Sequence, residues 1–400
     1  PSYYSHSKGC NVWTLDNIKL TDMIFAVGQG ILGYSHPEIE SHVIETLKKG
    51  NMTSLNCHEE VELAEKLIEL HPWAEMARFA RSGGEANAIA IRIARAASGN
   101  SKVAVCGYHG WHDWYLAANL KNKDGLESHL LPGLEANGVP NNLEGTIFPF
   151  EYNDFEKLER LVNENEIGTI KMEVSRNFGP QNNFLQKVRS LCNDKNIILI
   201  FDECTSGFRQ TNGGLHKLFD VNPDMAMFGK AMGNGHAITA VIGKRSIMDS
   251  AQSTFISSTF WTERMGPAAA LKTLEVMEKI KSWEIISETG RLVKKTWREI
   301  ADSLNVDIEI SGIDPLCTFS FNYENNLAYK TFFTQEMLKK GYLAANIMYV
   351  SIAHDKDVLK KYFLEYEEVF KKISKIIKDE KNIEEYLDSS VCHSGFKRLN

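Results

Sequence analysis

Two residues stand where a charge is costly, Asp202 and Lys230. Asp202 follows the apolar run Ile197-Ile198-Leu199-Ile200-Phe201, and Lys230 follows Met225-Ala226-Met227-Phe228-Gly229. Short runs that are β-branched and aromatic read as buried parallel strands. In an open α/β sheet, ligands sit beyond the carboxyl ends of the strands. Asp202 is therefore a carboxylate delivered to a site. A lysine at a buried strand end is tolerated when its amine is neutralised, paired or covalently used. The two together suit pyridoxal phosphate, which takes a Schiff-base lysine and an acidic partner for its pyridinium nitrogen. A structural Asp–Lys pair beneath a loop would use the same two residues.

Other stretches bring chemistry to the same region. Arg78-Phe79-Ala80 reads as a short strand, followed by Ser82-Gly83-Gly84-Glu85-Ala86-Asn87 and a helix to about Ala97. A strand, a glycine turn and a helix start place free N–H groups and the positive helix end at one point, which suits a phosphate. An ordinary capping turn has the same sequence. The strand Lys102–Cys106 leads into Tyr108-His109-Gly110-Trp111-His112-Asp113-Trp114-Tyr115, dense enough in rings to form a stacking wall. The spacing of His109, His112 and Asp113 matches no standard zinc pattern, so no metal is expected. Thr169–Val174 is a strand that brings Glu173 to the edge where Asp202 ends.

These residues need a scaffold of alternating elements. Helices are expected at about 37–49, Glu59–Leu70, Phe155–Glu164, Phe184–Asn193 and Met265–Lys279, and a strand at Ala237–Gly243. From 78 to 245 the order is β-α-β-α-β, as in a mostly parallel sheet with right-handed crossovers. Asn11–Asp16 and Leu20–Phe25 flank a hairpin turn at Asp16-Asn17. Beyond about 285 the pattern becomes α+β, with helices at 286–303, 331–340 and 356–378 and strands near 307–310 and 317–322. Residues 119–145, with Pro132-Gly133 and Gly138-Val139-Pro140, form a loop-rich insertion, either a substrate lid or a plain connection.

Bulk properties narrow the class. A chain of 400 residues exceeds one ordinary core, so two domains are expected. A formal net charge of −7 argues against nucleic acid as the main partner. No apolar run reaches membrane-spanning length, and no stretch reads as a signal peptide. Seven scattered cysteines without a C-x-x-C favour reduced thiols and a cytoplasmic location.

The pieces, in order, resemble class III aminotransferases, the pyridoxal-phosphate fold-type-I family, and in particular its glutamate-1-semialdehyde aminomutase branch. Gly9–Asp22 looks like the family's opening, with Ile18 where a glycine is usual. Leu32-Gly33-Tyr34-Ser35-His36-Pro37 resembles L-G-H-x-H-P, Ser82–Asn87 resembles S-G-[ST]-E-A-N, and Tyr108-His109-Gly110 matches Y-H-G. Asp202–Phe208 is similar to D-E-V-x-T-G-F, Pro223–Ala231 to P-D…G-K-A, and Ser258-Thr259-Phe260 to the [ST]-T-[FY] phosphate loop. Ser351-Ile352-Ala353-His354 is similar to a small-domain strand of the aminomutase branch. The resemblance spans nearly the whole chain.

It implies an α/β fold of PLP fold type I. A large domain over 36–280 would hold the mostly parallel sheet, and a small α+β domain would combine residues 1–35 with 281–400. It implies pyridoxal 5′-phosphate as cofactor. Lys230 would carry it as a Schiff base and move the proton between Cα and C4′. Asp202 would pair with the ring nitrogen, Tyr108 and Cys204 would lie on opposite ring faces, and Thr205 would approach the ring hydroxyl. Ser82, Gly83 and Gly84 would hold the phosphate, with His109 and Glu173 also at the cofactor. Thr259 would come from the partner subunit, making a homodimer the active form.

Three departures stand out. Gly84 replaces a hydroxyl residue at the phosphate, so backbone N–H groups or another donor must serve. Val174 replaces a proline after Glu173. Trp261-Thr262-Glu263-Arg264 replaces G-G-N-P near the substrate entrance. With Trp111 and Trp114, Trp261 would gather indoles at the mouth, which suits a bulky or carbohydrate-like keto acceptor in surface-glycan biosynthesis with an amino-acid donor. Core or dimer contacts would explain the same tryptophans. Arg81, Arg176, Arg209 and Arg264 are candidate carboxylate or phosphate clamps. The competing readings are an aminomutase, a racemase or decarboxylase using the same Lys230 and Asp202, and a non-catalytic binding protein on this fold. A nicotinamide dehydrogenase would need a glycine fingerprint that is missing.

Overall fold

Apolar runs become strands in the order that the pattern implies. The computed structural model describes residues 3–121, 125–126, 129, 134–175 and 177–395. Contacts divide the chain into two units. The larger comprises Ser41–Ser175, Gly179–Glu275 and Gly395–Asn400, and the smaller Pro1–Glu40, Arg176–Phe178 and Val276–Ser394.

The larger unit is built on seven strands: β1 (Met76–Ala80), β2 (Val103–Cys106), β3 (Ile147–Pro149), β4 (Thr169–Glu173), β5 (Ile198–Asp202), β6 (Met225–Phe228) and β7 (Thr239–Gly243). Their order across the sheet is β1-β7-β6-β5-β4-β2-β3. The pairs from β3 to β6 are parallel. β7 runs antiparallel to both β6 and β1. Only residues 229–238 separate β6 from β7, fewer than the dozen or so that a parallel crossover needs. Apolar content identifies this strand, but connection length sets its direction.

Register places side chains in rows across the sheet. Val105, Lys171, Ile200 and Met225 form one row, and Glu173, Asp202 and Met227 form the next toward the carboxyl ends. Helix α1 (Gly83–Ser98) packs Ala86, Ile89, Ala90, Ile93 and Ala94 into the same core as Val103, Val105, Ile198, Ile200, Met225, Met227 and Val241. Burial of each larger apolar side chain there is worth about 1.5–3 kcal/mol. The helix starts at Ser82, whose hydroxyl accepts the Glu85 N–H, and stops at Gly99 with φ 66°. Glu85 in turn accepts the Arg81 N–H at 2.9 Å, a near variant of the capping box.

The insertion is pinned at Asn119, which accepts from Leu126 N–H at 2.9 Å and donates to the Leu134 carbonyl. Pro132-Gly133 lies outside the described residues.

In the smaller unit, Tyr4–Lys8, Asn11–Thr14 and Lys19–Asp22 pair antiparallel, and Tyr342–Leu343 joins parallel to the last of them. The first strand is absent from the sequence reading, because its polar residues are largely exposed. A second sheet orders Ile308–Ser311, Leu316–Phe321 and Ile347–Tyr349. Helices Ser282–Ser303, Asn326–Lys339 and Lys356–Lys378 belong to this unit. Trp297, Phe319, Phe333, Tyr366 and Phe370 form its aromatic core.

Candidate active site

At the carboxyl ends of β4, β5 and β6 the described residues bring the ionisable groups together. Asp202 is the last residue of β5 and is 4% exposed. Its Oδ2 lies 2.9 Å from His109 Nδ1 and 3.5 Å from Lys171 Nζ, and its Oδ1 accepts the Cys204 N–H at 3.1 Å. Burial alone would push this carboxyl up. The Lys171 charge, the His109 hydrogen bond and the Cys204 N–H instead hold it well below the usual carboxylate range. Asp202 is thus an anion, fixed from three sides.

His109 sits inside the fold, with Nε2 3.1 Å from the Cys106 carbonyl. Burial and the Lys171 charge lower its pKa to about 4. A neutral ring has one proton to place, and the charged Asp202 is the stronger acceptor. Trp114 stacks on His109 at 6.4 Å, and Tyr115 meets it edge-on at 5.5 Å.

Lys230 opens the turn after β6, with φ 41°. A non-glycine residue in this region is uncommon, and such conformations concentrate at working sites. Its Nζ donates to Thr205 Oγ1 at 2.7 Å. Cys204 lies between the two groups in sequence, half-buried, with its thiol pKa pushed well up by burial and then by Asp202. Glu173 accepts the Tyr108 N–H at 3.3 Å. Gly107, at φ 109°, makes this possible: a Cβ there would stand 2.6 Å from Glu173 Oε2.

The turn at Ser82-Gly83-Gly84 lies against the aromatic loop. A Cβ on Gly110 would meet Gly84 Cα at 3.1 Å. A Cβ on Gly84 would find His112 Nε2 at 3.3 Å and Trp111 Nε1 at 3.7 Å. Two ring nitrogens therefore stand beside the place where a hydroxyl side chain would begin. Ser82 itself is the helix cap, with its backbone carbonyl accepting from Thr239 Oγ1 at 3.2 Å.

Several sequence expectations fail here. Trp114 is 7% exposed and belongs to the α1 core, so it does not line a mouth. Trp111 is 70% exposed, and Trp261 lies under the Arg78 guanidinium at 5.4 Å. Arg81 is no free clamp: it donates to the carbonyls of Phe260, Trp261 and Glu263 and pairs with the Glu263 carboxylate at 3.6 Å. Arg264 pairs with Glu59 at 2.5 Å. Buried Arg209 donates to the Thr205 carbonyl at 2.6 Å. Arg176 lies outside the described residues. The altered segment 261–264 is therefore an arginine-anchored loop. Thr259 is exposed on the same loop, a position that leaves its expected role across a subunit interface open to test.

Sequence reasoning missed Lys171, because Thr169, Lys171 and Glu173 alternate with apolar residues as on a half-solvated strand. Only the central position of β4 shows that this face is buried. It also missed a buried network in which His216 Nδ1 faces Glu203 Oε1 at 2.9 Å, Trp73 Nε1 donates to His216 Nε2 at 3.0 Å and Ser206 donates to Glu203.

The model of the family Aminotransferase class-III matches residues 1–359. The 3-aminobutyryl-CoA aminotransferase of Cloacimonas acidaminovorans is 34% identical over 345 residues, 84% of this chain and 79% of that protein. The glutamate-1-semialdehyde 2,1-aminomutase of Methanothrix thermoacetophila is 31% identical over 384 residues, 90% of this chain and 88% of that protein. Among solved structures, the FumI protein of Sphingopyxis sp. MTA144 superposes with a TM-score of 0.85 at 21% identity, covering 95% of this chain and 90% of that one. An omega-transaminase from Sphaerobacter thermophilus gives 0.84 at 21% identity, covering 94% and 92%.

Proposed function

Because the chain belongs to the class III aminotransferase family, we propose that it moves an amino group from an amino-acid donor to a bulky keto or aldehyde acceptor. The enzyme class and the cofactor, pyridoxal 5′-phosphate, follow from the family. The donor set fits that cofactor. A buried anion for a ring nitrogen, a strand-end amine for an aldehyde and a helix start for a phosphate occur along one sheet edge. When bound, the cofactor supplies an aldehyde for amine exchange and a protonated ring that draws electrons from the substrate Cα.

The protein's own groups do the rest. Lys230 would hold the cofactor through its amine, and its Nζ would carry the proton between Cα and C4′. Thr205 Oγ1, 2.7 Å away, orients that amine. Asp202 holds a proton at the ring nitrogen, and His109 and the Cys204 N–H orient its carboxylate. The N–H groups of Gly83 and Gly84 would hold the phosphate, and His112 and Trp111, which lie beside Gly84, would supply ring nitrogens in place of the missing hydroxyl. Tyr108 and Cys204 would lie against the cofactor ring, and Glu173 fixes the Tyr108 backbone.

A bulky acceptor is supported by the replaced 261–264 loop, with exposed Trp111 and half-buried Trp261. A keto sugar is the first choice, since indole faces stack on sugar rings. The relative named for an aminobutyryl-CoA makes a 3-oxoacyl thioester the second. A 2,1-aminomutase is the alternative, favoured by the relatives of that name.

Titrating the visible absorbance of the purified enzyme with amino acids, then restoring it with keto sugars and 3-oxoacyl thioesters, tests this reading. One donor should bleach the band and one acceptor should restore it. If glutamate-1-semialdehyde alone is consumed without any donor, the aminomutase reading replaces it.

The working form is a homodimer in which Thr259 reaches the partner's phosphate. Its loop carries Phe255 at 85% exposure and Phe260 at 58%, which supports burial against another chain. Thr259→Ala should lower cofactor retention, and a fully active monomer in sedimentation would contradict this. No helix among the described residues is long and apolar enough to cross a membrane, and the cysteines are free thiols. The free thiols support a reducing, cytoplasmic setting.

A further inference from the structure

Lys171 breaks the rule of its surroundings. Its cross-strand neighbours in the row are Val105, Ile200 and Met225, all apolar, and its side chain is fully buried. A methionine or leucine would pack there without desolvating a charge. A buried ion pair is weak evidence for stability, since apolar replacements are often neutral or stabilising. The lysine therefore calls for a functional account.

Its amine has one anionic hydrogen-bond partner within reach among the described residues, Asp202 Oδ2 at 3.5 Å, with Met227 Sδ at 3.3 Å. The other ionisable groups around it are His109 from the loop after β2, Cys204 beyond β5, and Glu173 on its own strand. Asp202 already receives His109 on Oδ2 and the Cys204 N–H on Oδ1. A cofactor ring nitrogen would be a further claimant on one negative charge.

We propose that Lys171 is a positioning residue that shares the Asp202 carboxylate with the cofactor ring and thereby sets how firmly the ring nitrogen holds its proton. The inference rests on Asp202 being the partner of that nitrogen. A cation beside the carboxylate makes it a weaker base and repels a pyridinium across a low-dielectric interior. The ring of this enzyme then gives up its proton at lower pH than it would over Asp202 and His109 alone. Its electron-withdrawing power becomes tunable by pH.

The test is the ring-nitrogen NMR shift of ¹⁵N-labelled pyridoxal phosphate in the reconstituted holoenzyme, followed against pH. Lys171→Met should raise the titration midpoint of the nitrogen by about 1–3 pH units. Lys171→Gln, which keeps a donor without the charge, should do the same and serves if the methionine variant folds poorly. Lys171→Arg keeps a permanent cation and should titrate at or below wild type. A purely structural role would alter melting temperature but not this midpoint. If Lys171→Met and Lys171→Gln titrate with wild type while Asp202→Asn lowers the midpoint, the proposal is overturned and the role of Asp202 stands. If Asp202→Asn leaves the midpoint unmoved, the underlying role of Asp202 fails, and the proposal with it.

Discussion

Lys230 and Gly107 show how single atoms decide what this site can do. Lys230→Ala removes the Nζ that meets Thr205. The variant should bind cofactor without the visible band of a lysine Schiff base and should lose turnover. Turnover at the wild-type rate would sink the mechanism. At Gly107 two constraints coincide, a φ of 109° and a Glu173 carboxylate that leaves no room for a Cβ. Gly107→Ala should cost about 1–3 kcal/mol in urea unfolding, as strained backbone positions do. Shortening Glu173 to alanine in the same chain should recover the steric part only. Asp202 and Lys230 were legible in the sequence because an apolar run announces a buried strand and a charge at its end needs a reason. Lys171 was not, since alternation of Thr169, Lys171 and Glu173 looks like one wet face. Its burial is set by β5 and β2 on either side, which no local pattern contains. Trp114 was misplaced for a related reason: adjacent aromatic residues in a loop carry no mark of which one turns inward.

Helix α1 would join stability to the proposed phosphate end of the site. Its first turn is closed by Ser82 and Glu85, and its body is held by alanines and isoleucines against the sheet. Ser82→Ala should cost about 0.5–2 kcal/mol of folding stability through the lost cap. Where the helix start also holds the phosphate, cofactor dissociation should quicken in the same variant. Unchanged retention with lowered stability would separate the two roles and leave Ser82 a cap alone. Most helices and strands were readable within a few residues from their apolar spacing, and the structure shows Gly99, Asp154 and Asp355 closing or capping three of the helices. The antiparallel course of β7 was not, as strand direction belongs to the connection and not to the strand. The strand Tyr4–Lys8 was invisible because its pairing with Asn11–Thr14 draws on backbone hydrogen bonds more than on an apolar face.

Across the molecule, acid should act on both units through buried histidines. His71 and His109 in the larger unit and His354 in the smaller one are each lowered from 6.5 to about 4, chiefly by burial. In the unfolded chain these rings take up protons near their ordinary value, whereas in the folded chain they do so only near pH 4. The unfolded state thus binds more protons between these limits, and stability falls as pH drops from about 6.5 toward 4. Each such ring contributes a slope of about 1.4 kcal/mol per pH unit. Urea titrations at several pH values should show it, and His354→Gln should remove about one proton from the slope. A flat profile over that window would contradict neutral burial of these rings.

The smaller unit carries one more consequence, concerning the order in which the chain is made. Its third strand Lys19–Asp22 pairs with Tyr342–Leu343, His354 Nε2 meets the Asp22 carbonyl at 2.9 Å, and Ser351 Oγ donates to the Ile31 carbonyl across 320 residues. On a ribosome, Lys19–Asp22 emerges long before Tyr342–Leu343 and must wait for it before their sheet can close. The intervening seven-stranded core has all its strands available well before then. Such distant pairing slows folding, because the loop must be closed before its contacts repay the entropy. The hairpin is thus synthesised well before the strand that completes its sheet, and its exposed polar strand Tyr4–Lys8 is well suited to remain in water in the meantime.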